Sequence, residues 1–347
     1  MGRTSKRKRK KRQSRFIRNT ILSLAAISAY SLYNHSELVG FVNKTTVVEK
    51  ATEIVPLVPE IIVPKVEASR IDFTKVKSPN VILIDYQTGE TVAEKGSTER
   101  IFPASLTKIM TVLVALDHVV DFNQKVKMEE AYFEGLYEAR ASITGFVEDE
   151  VTTVGELLYG AILPSGADAC LALAYLIAGS EAEFVTLMNE KAAELGLSHT
   201  HYTNATGLHD VKNISSVADI ATLTHRALQN PVFYEIFTTL QHEVAPTNIN
   251  EEGFLMNSTV FNSLLKYPEL IGTVIGGKTG FTEQAGLCLA SIGQVDGKKY
   301  LLITAGAEAI PDFPIDQDRH IEEPIHIQDA ENIYRQLMEE TNHVSDH

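Results

Sequence analysis

Apolar and polar positions alternate between two periods along this chain, and the changes of period mark out its elements. Residues 81–84 form an unbroken apolar run, Val-Ile-Leu-Ile, closed by Asp85 and the segment Tyr86-Gln87-Thr88-Gly89-Glu90. Residues 91–94 resume it, so two short runs around a glycine-bearing turn predict a β-hairpin. After a loop, the apolar stretch 109–116 predicts a helix beginning at about Ala104. From 152 to 196 apolar residues recur every three or four positions. That spacing predicts helices over 154–162, 167–177 and 181–195, with Gly179 and Gly196 as stops. A further helix is predicted over 215–228. Past Gly253 the pattern returns to short runs: 274–275, 287–292 and 300–305 read as strands, with Asp296-Gly297 as the turn between the last two. Residues 328–340 predict a closing helix.

Strands at both ends with helices between them imply one sheet assembled from N- and C-terminal pieces, interrupted by a helical block. This is a mixed α+β arrangement. The folded body is expected over 67–340, and neither internal repeats nor low-complexity runs appear in it.

Charge changes the picture at the N-terminus. Of 31 Lys and Arg, ten lie in residues 1–18, where there is no acid, leaving 21 against all 45 acids. An acidic body is ill suited to nucleic acid, whose binding comes mainly from neutralised phosphates. Residues 19–36 carry no Asp, Glu, Lys or Arg. A basic head followed by an apolar segment is the layout of a signal anchor or a secretory signal peptide. The apolar core is short for a membrane span, and Ala29-Tyr30-Ser31 offers a small-x-small cleavage site. The expectation is attachment to the cytoplasmic membrane through the N-terminus, with the body on the extracytoplasmic side, or secretion if the signal is removed. Residues 37–66, with Pro56, Pro59 and Pro64, read as an extended linker. Cys170 and Cys288 are too few for a disulfide framework, and the eleven His are scattered, so neither a metal nor another cofactor is expected.

The candidate chemistry begins at Pro103-Ala104-Ser105-Leu106-Thr107-Lys108. In a first helical turn Ser105 and Lys108 share one face. An amine whose charge is suppressed can take the serine proton as the hydroxyl attacks, and the helix start offers N–H groups to an oxyanion. Alone, Ser-x-x-Lys is a common match, as are Ser165-Gly166-Ala167 between two helices and Gly277-Lys278-Thr279-Gly280 at a strand edge. Their order along one chain is far more specific.

That order resembles the penicillin-recognising serine enzymes. Within them the chain is most similar to the low-molecular-weight D-alanyl-D-alanine carboxypeptidases. The likeness spans about residues 70–310 and rests on residues 103–111, Ser165-Gly166-Ala167-Asp168-Ala169, Asn204-Ala205-Thr206-Gly207-Leu208 and residues 277–282 with Ala285-Gly286. It implies a β-lactamase/transpeptidase-like sheet flanked by helices, with the site between the sheet and an all-helical block. Ser105 would be the nucleophile, Lys108 its base, and Ser165 a proton relay to the leaving D-alanine. Lys278 and Thr279 would bind the substrate carboxylate, with Gly280 beside them, and Ser105 and Phe281 would supply the oxyanion N–H groups. The implied partners are peptidoglycan stem peptides and β-lactam antibiotics.

The chain departs from the family at Ala167, where Asn is usual, and at 305–308, which lack the Arg many relatives carry. Two rivals follow. A β-lactamase-like hydrolase needs a water-activating carboxylate, for which Glu148, Glu150 and Glu156 are positional candidates. A catalytically impaired penicillin- or peptidoglycan-binding protein is suggested by the missing amide at 167.

Overall fold

Strand β1 (Asn80–Asp85) shows how the body is layered, because its side chains alternate between two cores. Ile82 and Ile84 pack with the helical block, whereas Val81 and Leu83 pack with the C-terminal helix. Each such side chain, fully buried, contributes about 1.5–3 kcal/mol. The computed structural model describes residues 71–310 and 323–345, all within one compact unit, Glu60–His347. The expected basic head, signal segment and the whole of the linker, 37–66, lie outside the described residues.

The hairpin of β1 with β2 (Thr91–Lys95) forms as its pattern predicts. It joins β7 (Val274–Thr282), β8 (Gly286–Val295) and β9 (Lys298–Ala307) in a five-stranded antiparallel sheet ordered β2-β1-β9-β8-β7. The β1–β9 register, Asn80↔Ala305 to Asp85↔Tyr300, closes N- and C-terminal pieces into one layer. Two small hairpins, β3 (Lys125–Lys127) with β4 (Val151–Thr153) and β5 (Gln241–Val244) with β6 (Phe254–Asn257), carry no signal of their own in the apolar pattern.

The inserted block starts with α1 (Thr107–His118), buried continuously from Thr107 to Ala115. Around it stand α2 (Val154–Ile162), α3 (Ala167–Ala178), α4 (Glu181–Glu194), α5 (Val217–Leu228) and α6 (Pro231–Thr238). Thr153, Ser180, Ser216 and Asn230 cap four of these helices by accepting from N–H groups of their first turns. The short α7 (Thr259–Leu264) and the long α8 (Ile325–Ser345) cover the other face of the sheet. β7 is one of the two edge strands, opposite β2, and it meets the turn Ala104–Leu106.

Candidate active site

Ser105 sits in a 3-10 turn, Ala104–Leu106, that runs straight into α1, and no side chain caps either start. The 3-10 turn itself takes up the next donors, Leu106 N–H to the Pro103 carbonyl at 3.1 Å and Thr107 N–H to the Ala104 carbonyl, so Ser105 lies at the positive end of the helix. Ala104 holds a left-handed φ of 47°, a costly conformation outside glycine. Lys108 is 3% exposed, and its Nζ donates to Ser105 Oγ at 3.0 Å and to the Thr206 carbonyl.

That carbonyl is held by its loop. Asn204 Oδ1 accepts from the N–H groups of Thr206 (3.2 Å) and Gly207 (2.7 Å), while Asn204 Nδ2 donates to the Leu208 carbonyl at 3.0 Å. Ala205 N–H donates to Glu181 at 2.8 Å, and Thr111 Oγ1 donates to the Ala205 carbonyl at 2.6 Å. The segment 204–208 is thus bolted to α1 and to the start of α4, which fixes one hydrogen bond of the lysine.

Burial pushes the Lys108 amine below its ordinary value, against a partial pull upward from Cys170 and Asp168. Lys278, fully buried on β7, is pushed well below its own ordinary value by burial first and by the Lys108 charge second. Two amines in one dry space cannot both stay charged cheaply. Lys278 Nζ donates to the Thr279 carbonyl at 2.8 Å and is not among the residues that line the cleft.

The cleft itself has a volume of about 370 Å³. Ser105, Ser165, Thr279, Gly280 and Phe281 all line it, which brings three segments distant in sequence to one place. A Cβ on Gly280 would come within 3.1 Å of Ser105 N, a tight contact that the glycine relieves. Ser165 has a φ of 68°, and its buried Oγ has no hydrogen-bond partner among the described residues. Thr279 Oγ1 donates to Thr259 Oγ1 at 2.7 Å.

Ala167 is buried in a small apolar cluster with Leu136 and Leu171. Asp168 does not take over from the absent amide. Its carboxylate turns to Thr144, accepting from the backbone N–H at 2.9 Å and from the hydroxyl. The three positional carboxylates of the β-lactamase alternative are elsewhere too. Glu150 accepts from Val147 N and Thr247 Oγ1, Glu156 pairs with His242, and neither they nor Glu148 line the cleft.

The structure adds lining residues that no motif announced: Arg140, Ser142, Thr259, Asn262, Ser263 and His326. They come from a loop, α7 and the start of α8, so only the tertiary fold gathers them. Both cysteines are buried and free, and burial pushes the Cys170 thiol up to about 12. Among the described residues no group of three or more His, Cys, Asp or Glu is placed to hold a metal ion.

An antiparallel sheet with an inserted helical block, and a serine-lysine pair where the two meet, is the fold of DD-transpeptidases and penicillin-binding proteins. Crystal structures of Streptomyces K15 DD-transpeptidase superpose with TM-scores of 0.65 for the parent and 0.66 for a serine-to-alanine mutant of it, each at 26% identity. Each match covers 75% of this chain and 97% of the other. Residues 65–309 match the peptidase S11 family, described as D-alanyl-D-alanine carboxypeptidase, and the chain belongs to that family. It is 36% identical over 236 residues to D-alanyl-D-alanine carboxypeptidase DacF of Bacillus subtilis and 32% identical over 245 residues to DacC of Escherichia coli. Each match covers 67% of this chain and 58% of the relative.

Proposed function

We propose that this protein is a serine D-alanyl-D-alanine carboxypeptidase that removes the terminal D-alanine from peptidoglycan stem peptides and is acylated by β-lactams. The observation that carries this reading is the 3.0 Å contact between Ser105 Oγ and a buried Lys108 whose amine is held below its ordinary value. A neutral Lys108 keeps an N–H for the Thr206 carbonyl and turns its lone pair to the serine hydroxyl. Ser105 Oγ attacks the carbonyl between the two D-alanines, and Lys108 accepts the hydroxyl proton. The tetrahedral oxyanion is held by the N–H groups of Ser105 and Phe281. Ser165, whose Oγ is otherwise unpartnered, passes a proton to the departing D-alanine amine. Water then cleaves the acyl-enzyme. The stem peptide lies along the outer edge of β7, where an extended chain can add as a strand.

No Asp or Glu lines the cleft among the described residues, which favours slow clearance of a penicillin adduct over β-lactamase turnover. The apolar setting of Ala167 supports a second reading, a wall-binding protein with little turnover. One assay separates the two. The proposal expects release of free D-alanine from a stem pentapeptide ending in D-Ala-D-Ala, and a loss of at least ~1,000-fold in Ser105→Ala. Unchanged release in that variant overturns the nucleophile, and no release by the parent protein favours the second reading.

The extracytoplasmic location and the membrane attachment also belong to the proposal, resting on the basic head and the uncharged segment 19–36. Among the described residues no single helix is long and apolar enough to cross a membrane. Full-length protein should stay with membranes through alkaline carbonate washing, and a form lacking residues 1–36 should not. Release of the full-length protein by the wash contradicts an anchor.

A further inference from the structure

His326 lines the cleft, yet it belongs to none of the three motifs. It is the second residue of α8 and only 5% exposed. Its position is set from both sides, because Ile325 packs on Leu287 and Ala307 while Ile327 sits in the outer core. Leu287 is the partner of Phe281 across β7 and β8, so the imidazole is fixed beside the third motif.

Arg140 and His326 are the only basic side chains that line the cleft among the described residues. Arg140 comes from the loop whose Ser142 carbonyl receives the Ala167 N–H at 2.8 Å, on the side of the second motif. His326 therefore supplies the basic side chain on the side of Thr279. Lys278 does not line that wall, being fully buried and bound to its own strand.

The ring also has a defined polarity. Nδ1 is sealed from solvent and has no hydrogen-bond partner among the described residues. A proton placed there would be a buried donor without an acceptor, which folded proteins tolerate less than an unmet acceptor. The proton therefore sits on Nε2, and Nε2–H is the group left to meet a ligand. Burial holds the imidazole pKa down to about 4, so the ring is neutral at neutral pH. A neutral donor at the positive end of a long helix, with no acid in its first turn, suits an anionic oxygen.

We propose that His326 is a specificity-determining residue that donates from Nε2 to the C-terminal carboxylate of the scissile D-alanine, beside Thr279. This rests on the carboxypeptidase reading above. It assigns the preference for a free carboxyl end to a residue outside the three motifs.

The test compares two stem pentapeptides, one with a free C-terminal carboxylate and one with a C-terminal amide. The readout is the ratio of kcat/KM for acid over amide. His326→Leu should lower that ratio ~10-fold, the worth of one charge-assisted hydrogen bond. His326→Gln, which keeps an N–H donor at similar reach, should restore it to within about threefold, as expected for one retained donor. Should His326→Leu fail to fold, His326→Asn, with a donor too short to reach, decides in its place. An unchanged ratio in an active His326→Leu or His326→Asn protein overturns the proposal and leaves the carboxypeptidase reading standing. A parent protein that cleaves neither peptide overturns both.

Discussion

At the scale of single residues, the proposed catalysis depends on taking water away from an amine. Lys108 is pushed below its ordinary value chiefly by burial, and Lys278 is pushed down further because the Lys108 charge adds to burial. A base must be unprotonated to accept the Ser105 proton, so activity should fall as pH falls through the Lys108 pKa. The acid limb of kcat/KM against pH for D-alanine release should accordingly lie below 10.5, the ordinary lysine value. Lys108→Arg, which stays charged, should lose activity across the whole range. A limb centred near 10.5, or an active Lys108→Arg, contradicts the assignment. Ser105 and Lys108 were legible in the sequence because a three-residue spacing needs only one turn to bring them together. The Thr206 carbonyl that orients Lys108 was hidden, since a backbone oxygen leaves no trace in residue identity. Thr259 and His326 were hidden as well, because only tertiary packing carries them to the cleft.

Among elements, the helices were the most readable: α4 buries Phe184, Met188 and Ala192 four residues apart, close to the 3.6-residue period, while α3, buried continuously from Ala167 to Ala174, is marked by its apolar run between Gly166 and Gly179. Residues 154–162 coincide with α2, and residues 167–177 and 181–195 fall within one residue of α3 and α4. Strand β7 was read as two residues and spans Val274–Thr282. Its Gly276-Gly277 and Gly280 have little strand propensity of their own, and pairing with β8 imposes the extended form. Close packing explains another glycine, Gly293 on β8, where an added Cβ would stand 2.4 Å from the Tyr334 ring of α8. Tyr334 is fully buried there and shares a 3.1 Å hydrogen bond with Ser291. Glycine in a strand interior usually weakens it, so alanine at an open position would stabilise. Here Gly293→Ala should instead cost about 1–3 kcal/mol by overpacking, read as a lower midpoint in thermal or denaturant unfolding. A raised midpoint would show that α8 does not press on the sheet as described.

For the molecule as a whole, topology makes the site. The hairpin β1–β2 and the strands β7–β9 lie at opposite ends of the body and close one sheet, which leaves the inserted helices packed on one face of it and the motif end of β7 at the turn that carries Ser105. Residues 105, 165 and 279–281 meet in one cleft at that junction. The order of the motifs hinted at this convergence, but the cleft walls from the 140–142 loop, α7 and α8 depend on how the layers stack. The chain spans 58% of the length of the DacF and DacC relatives, so the comparison reaches the catalytic body and not their remainder. If this junction activates one serine, benzylpenicillin should acylate that residue alone. Mass spectrometry of the protein after incubation with benzylpenicillin, with the modified peptide sequenced, should show a single adduct on Ser105 that disappears in Ser105→Ala. An adduct on any other residue, or one that persists in that variant, would contradict that assignment.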